Sequence, residues 1–125
     1  MKQKVHSVSY LVKAEFEFKN GVYDLVALPS GAEVIKVSLE LAGGNVTGNI
    51  HVGFKDETTK NYFLNLNSIS SSSEQSVSFT SAKDYTATQN KVLVAEVGEV
   101  KGNSLHAKCV LRVLYFLPSV IEVEY

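Results

Sequence analysis

Apolar and polar residues alternate in one stretch of this chain after another, and turn residues separate the stretches. The clearest alternation ends at Leu41, where one face carries Ile35, Val37, Leu39 and Leu41 and the other carries Lys36, Ser38 and Glu40. A period of two with one polar face is typical of a β-strand that packs one side on a core and turns the other to water. No stretch sustains the helical spacing of apolar residues between recognisable caps.

About eight to nine strands are predicted in this way over residues 1–125, which at this length form one domain. The first runs from Val5 to Lys19, either as one long strand or as two strands bent at a bulge. Several strands are followed by residues typical of turns or strand ends. Two of these sites, Asn20-Gly21 and Gly43-Gly44-Asn45, are interpreted as hairpins. Lys101-Gly102-Asn103 and Pro118 are expected to end two later strands. The pattern indicates an all-β protein, an antiparallel β-sandwich, and favours a jelly roll. An immunoglobulin-like sandwich is the close alternative, although the cysteine pair and the tryptophan of that fold are absent.

The stretch from Ser104 to Leu117 is the longest apolar run. Its predicted inner face begins at Leu105, while the opposite face becomes apolar towards its end. A strand that is apolar on both faces is expected to be covered on both sides, by its own domain and by something else. Pro118 is expected to break the strand, and Val120 to Tyr125 alternates again. The candidate interface residues are therefore Val110, Leu114, Phe116, Val120, Ile121, Val123 and Tyr125.

Residues that could support catalysis or bind a metal are few and scattered. His6, His51 and His106 lie on three separate predicted strands, and no HxH, HExxH or CxxC motif occurs. Cys109 lies in an apolar run and is interpreted as a buried structural thiol; His106 is predicted to lie on the same strand and on its opposite face. We predict a protein that is not an enzyme and that needs no metal or cofactor.

Charge and hydropathy exclude further classes. The net charge is −1 with acids and bases interleaved, so no basic cluster suggests nucleic-acid binding. No run approaches the roughly 20 apolar residues of a membrane helix, and the first residues lack the apolar core of a signal peptide. We expect a protein that is made in the cytoplasm and that binds neither nucleic acid nor membrane.

Several tracts in order resemble one family. They are GVYDLVALPSGAEV from Gly21 to Val34 with the strand to Leu41, GNIHVGF from Gly48 to Phe54, NYFLNLNSI from Asn61, QSVSFT, and VLRVLYF. Together they resemble the small jelly-roll proteins that decorate or cement the heads of tailed bacteriophages. The resemblance covers about two thirds of the chain, and neither the first few residues nor Ser119 to Tyr125 have a counterpart in it.

This resemblance implies a mechanical function. Such a protein binds the outside of the capsid shell, cements neighbouring major capsid protein subunits, and stabilises the mature head. The implied partners are the major capsid protein and further copies of the chain, as a homodimer or homotrimer, and the implied location is the capsid surface of the virion. The alternative from another class is a carbohydrate- or receptor-binding β-sandwich of a phage tail fibre. A metal-dependent hydrolase or lyase on a jelly roll is a third possibility, which would need clustered histidines.

Overall fold

The computed structural model describes residues 2–81, 83–103 and 105–122, and it describes side-chain surroundings within residues 8–117 of those ranges. All of the regular structure in these ranges is β-strand. The strands are β1 (Lys2–Glu17), β2 (Gly21–Leu28), β3 (Glu33–Ala42), β4 (Asn45–Phe54), β5 (Leu64–Ser71), β6 (Val77–Ser81), β7 (Tyr85–Thr86), β8 (Lys91–Asn103) and β9 (Lys108–Glu122). Within the described ranges there is no helix with the length and hydropathy needed to cross a membrane.

The strands form two antiparallel sheets. The five-stranded sheet has the order β1-β9-β3-β6, with the short β7 also paired to β3, and the four-stranded sheet has the order β2-β8-β4-β5. The first strand thus pairs with the last, the second with the eighth, the third with the sixth and the fourth with the fifth. This is a long antiparallel hairpin folded over on itself, which is the jelly-roll topology. The predicted all-β sandwich is confirmed, and its topology is the one that the sequence favoured.

The core lies between the two sheets and takes one face of each main strand. Val37, Leu39 and Leu41 of β3 are buried, as predicted. Ile35, predicted to share their face, is instead 44% exposed. A bulge in β3 between Val34 and Lys36 inserts one residue into the ladder with β9, so Val34 takes the buried position and the alternation shifts by one residue.

Both predicted hairpins are wrong. The chain does turn at Asn20-Gly21 and at Gly43-Gly44, but each turn carries it from one sheet to the other. In a jelly roll, two consecutive strands that lie in opposite sheets do not pair with each other. Each pairs instead with a strand that comes much later in the sequence. The turn residues therefore predict where the chain reverses and do not predict which strand it will pair with.

The last two strands also depart from the prediction. The Lys101-Gly102-Asn103 segment lies within β8 and pairs with β4. The chain turns after it, and Leu105, predicted to face the core, is 77% exposed in that connection. β9 does not stop at Pro118 but runs on to Glu122. Pro118 lies where the β1–β9 register shifts, and the ladder therefore accommodates a residue without an N–H group.

Candidate interaction surface

β1 and β9 extend beyond the rest of the sandwich. Their ladder runs from Glu17↔Lys108 to Lys2↔Glu122, whereas β3 covers the other side of β9 only as far as Phe116. Past that point the described structure contains a two-stranded ribbon, made of residues 2–8 and 117–122, which we call the terminal ribbon. Two strands alone are marginally stable in water, so this segment would gain most from contact with another surface.

The terminal ribbon contains part of the predicted interface. Val120 and Ile121 lie in β9 at the register positions opposite Lys4 and Gln3. Val123 and Tyr125, the other two predicted residues of this segment, lie outside the described residues.

Leu114 and Phe116 lie at the base of the terminal ribbon, on the outer face of the five-stranded sheet. Both are half-buried. The register places Leu11 of β1 directly opposite Leu114, and Leu11 is 68% exposed. Residues opposite one another in an antiparallel pair share a face, so the three side chains form one surface, which we call the apolar patch (Leu11, Leu114 and Phe116).

Val110, the remaining candidate, does not belong to the apolar patch. It lies on the same face of β9, but Arg112 separates it from Leu114. Its two cross-strand neighbours are Glu15 and Glu40, and the Arg112 guanidinium lies 4.0 Å from the Glu40 carboxylate. Val110 is therefore half-buried within a charged part of the sheet.

The inner-face side chains of β1 are exposed as well where the strand leaves the sandwich. Val8 and Tyr10 are 47% and 42% exposed, and the ring of Tyr10 stacks on that of Tyr115 with centroids 5.3 Å apart. Both residues share the alternation of the buried Phe16 and Phe18, but the opposite sheet does not reach this far along β1.

Among the described residues, His51, His106 and Cys109 do not gather into one site. His51 lies on β4, where its Nε2 is 3.3 Å from Asn67 Oδ1 and its Nδ1 is 3.8 Å from Glu96 Oε1. His106 is exposed in the connection before β9 and not on that strand as predicted. Cys109 is buried as predicted, and burial raises the pKa of its thiol to about 12. Among the described residues, no group of three or more His, Cys, Asp or Glu side chains could hold a metal ion.

Charged side chains on the described surface form pairs whose carboxylates are exposed. Lys19 Nζ lies 2.8 Å from Glu17 Oε2 and Lys91 Nζ lies 2.6 Å from Asp56 Oδ2. Hydrogen bonding to the ammonium groups lowers the pKa of both carboxyls. Among the described residues, Ser81 is the only buried polar residue, and no carboxylate is buried. Electrostatic stabilisation in this part of the chain therefore comes from surface pairs, which are worth little individually.

We expect stability to change little as the pH falls. A carboxyl whose pKa is lower in the folded than in the unfolded protein contributes stability above its unfolded value, about 4, and loses it as the pH falls through the folded value. The melting temperature is expected to stay level from pH 8 to pH 5 and to fall by only a few degrees by pH 3. Thermal melts across this range test it. A steep loss between pH 6 and pH 5 would contradict it, because in that range it would require a histidine that is held neutral in the folded protein and takes up a proton on unfolding.

No known protein-family model matches the chain, and no curated protein matches it. Solved structures do match it, and two of them are capsid structures. A chain in the acid-stable capsid structure of the Helicobacter pylori bacteriophage KHP30 is 64% identical, with 100% of both chains covered and a TM-score of 0.83. The chain belongs to a family of bacteriophage capsid proteins. It is a structural component of the virion. The predicted resemblance to phage-head proteins is confirmed, and it extends over the whole chain, including the terminal segments for which sequence reasoning found no counterpart.

A second capsid structure has the same fold at much lower identity. A chain in the capsid asymmetric unit of cyanophage Pam1 is 19% identical, with 88% of this chain and 85% of that chain covered and a TM-score of 0.66. At this identity the match supports the jelly-roll architecture alone.

Proposed function

We propose that this protein binds the outer surface of the capsid shell and cements neighbouring major capsid protein subunits, so that it stabilises the mature head. The observation that carries the proposal is the full-length 64% identity with a chain of a capsid described as acid-stable. The two similar structures described above are capsids, which favours this function over that of a tail-fibre domain that binds carbohydrate or a receptor.

The physical basis is linkage. A protein that binds only the assembled, expanded lattice stabilises that lattice by its binding free energy. Because the lattice repeats, modest contacts at each site combine into strong attachment when copies are also joined to one another. We therefore include self-association, as a dimer or trimer, in the proposed function. The apolar patch and the terminal ribbon are the surfaces that we assign to these contacts.

The chemistry of the described surface fits a role that needs contact area. A cavity of about 440 Å³ is lined by Glu57, Thr59, Asn61, Tyr62, Asn65 and Lys83. Its carboxylate and ammonium groups lie at an open surface. The only described thiol, Cys109, is buried, and burial raises its pKa to about 12. A cement protein requires none of these groups to react.

The proposal is tested by adding purified protein to expanded heads that lack it. We expect saturable co-sedimentation and a higher temperature of head disruption in proportion to occupancy. Unexpanded heads serve as the control and are expected to bind weakly. If expanded heads at saturating protein neither retain it nor gain thermal resistance, the cement function is wrong.

A further inference from the structure

The outer face of the four-stranded sheet differs in chemistry from that of the five-stranded sheet, which carries the apolar patch. On β4 and β5, the residues that alternate with the buried ones are all polar or glycine: Thr47, Asn49, His51, Gly53, Asn65, Asn67 and Ser70. Three of them are asparagines, which are disfavoured in β-strands. Protein partners usually bury an apolar, aromatic centre, and this part of the sheet offers none.

At one end of this face lies the cavity of about 440 Å³, which we call the first cleft (Glu57, Thr59, Asn61, Tyr62, Asn65 and Lys83). It exists because the connection between β4 and β5 folds back over Gly53. A Cβ atom at Gly53 would lie 2.7 Å from the carbonyl carbon of Lys60, so only glycine permits this approach. The Lys60 ammonium also donates to the Glu57 carbonyl oxygen at 2.9 Å, which fixes the connection.

The aromatic wall of the first cleft is held in place. The Tyr62 hydroxyl donates to the Asp84 carbonyl oxygen at 3.1 Å, and the Tyr62 ring lies with its centroid 5.3 Å from that of Phe54 and 5.7 Å from that of Tyr85. Lys83 Nζ lies 4.9 Å from the centroid of the Tyr62 ring. Tyr62 remains 36% exposed, so part of an ordered aromatic surface faces the cleft. Groups that are ordered in advance reduce the entropy lost on binding.

A smaller cavity of about 140 Å³ lies further along the same face, and we call it the second cleft (Thr47, Gly48, Asn67, Ser68, Glu99 and Lys101). Asn67 follows Asn65 by two residues on the outer face of β5, so the clefts adjoin along one strand at a spacing of about 7 Å. Glu99 has φ +54°, an uncommon conformation for a residue other than glycine, at the point where the β4–β8 register shifts. Such conformations concentrate at functional sites.

The two clefts offer the same set of chemical groups. Each is lined by one carboxylate, one ammonium group, at least one carboxamide and at least one hydroxyl. The balanced charge favours neither a polyanion such as nucleic acid nor a polycation. The lining is also more polar than that of sites for apolar ligands. A sugar hydroxyl both donates and accepts hydrogen bonds, so it can use every group in this set.

We propose that the two clefts together bind a neutral oligosaccharide, which lies along β5 over Asn65 and Asn67. This is an activity beyond the proposed function. The apolar patch that we assign to the shell lies on the other sheet, at β1 and β9, whereas β5 forms the edge of its sheet farthest from β2. Contact at the patch therefore leaves the clefts open. Glycoside hydrolysis uses a pair of carboxylates at one bond, and each cleft has one, so we expect binding without cleavage.

Binding is tested by applying the isolated protein to an array of immobilised neutral, sialylated and sulfated oligosaccharides. We expect saturable binding to neutral members and none that is confined to acidic ones. For the strongest neutral member in solution, the Kd is expected to change less than about twofold between about 50 and 500 mM NaCl, because the ligand carries no charge to be screened. If no neutral oligosaccharide binds, or if only acidic ones do, the proposal is wrong.

Alanine substitution tests the position of the site. We expect Asn65→Ala and Asn67→Ala each to weaken binding of that neutral oligosaccharide about three- to tenfold, because each removes hydrogen bonds to the ligand. Both side chains are exposed, so both variants are expected to fold, and thermal melts check this. Gln89→Ala is the control, since it removes an exposed carboxamide that lines neither cleft. If both asparagine variants bind like Gln89→Ala in isothermal titration calorimetry, the clefts are not the site.

Head binding is a separate measurement and distinguishes this inference from the proposed function. A protein that binds the neutral oligosaccharide through Asn65 and Asn67 but ignores expanded heads supports the clefts and contradicts the cement function. A protein that stabilises expanded heads but binds no neutral oligosaccharide overturns this inference and leaves the cement function standing.

Discussion

Replacing Gly43 with alanine is expected to destabilise the protein by about 3–4 kcal/mol, because the turn after β3 tolerates no side chain. Gly43 has φ +81°, a conformation that costs an alanine about 1–2 kcal/mol. A Cβ atom at this position would also lie 2.2 Å from the His106 carbonyl oxygen. The obstacle is backbone of the connection before β9, so relief would require that connection to move. Equilibrium unfolding in urea measures the loss.

Gly98→Ala is the matched control for this experiment. A Cβ atom at Gly98 would approach Asn49 Oδ1 at 2.7 Å, but this atom is the end of a half-buried side chain that can rotate away. We expect Gly98→Ala to change the free energy of unfolding by less than about 1 kcal/mol. If the two alanine variants prove equally stable, the close approach of Gly43 to the β8–β9 connection does not constrain the fold.

Alternation in the sequence predicts the strands and most of their faces because burial itself has a period of two. Val37, Leu39 and Leu41 could be assigned to the core for this reason. Ile35 could not, because the bulge beside it depends on how β3 matches β9, a strand far away in sequence. Pairing partners were equally inaccessible. Asn20-Gly21 is a strong hairpin signal, yet the strands on either side of it lie in different sheets.

The candidate surface was predictable in part. Leu114 and Phe116 stood out as apolar residues on the second face of β9, and the structure places both beside the terminal ribbon. Leu11 carried the same signal, as an apolar residue that alternates with the polar Ser9, Lys13 and Glu15, and only its position opposite Leu114 shows why. The alternation of apolar and polar residues does not predict the exposure of Val8 and Tyr10, because that exposure depends on where β3 and the opposite sheet end.

The double variant Leu114→Asp with Phe116→Asp is expected to reduce binding to expanded heads by about 100-fold or more. This prediction rests on the proposed function. Two carboxylates in an apolar contact would have to be desolvated, and Lys36, at the register position opposite Leu114, could pair with only one of them, so the cost exceeds the loss of the apolar area alone. Both side chains are half-buried on an outer sheet face, so the new carboxylates can still reach water in the free protein. We therefore expect the variant to keep its fold, with a modestly lower melting temperature.

Leu105→Asp separates contact at the apolar patch from a general effect of added negative charge. Leu105 is more exposed than Leu11 and lies before β9 begins, whereas Leu114 lies about 20 Å further along that strand. We expect Leu105→Asp to bind heads like the unmodified protein. Equal loss in both variants would point to repulsion from the shell and not to the patch. If the double variant binds normally, the apolar patch is not part of the interface. The terminal ribbon is then the surface to test, because its free edges can pair with a partner strand without any contribution from Leu114 or Phe116.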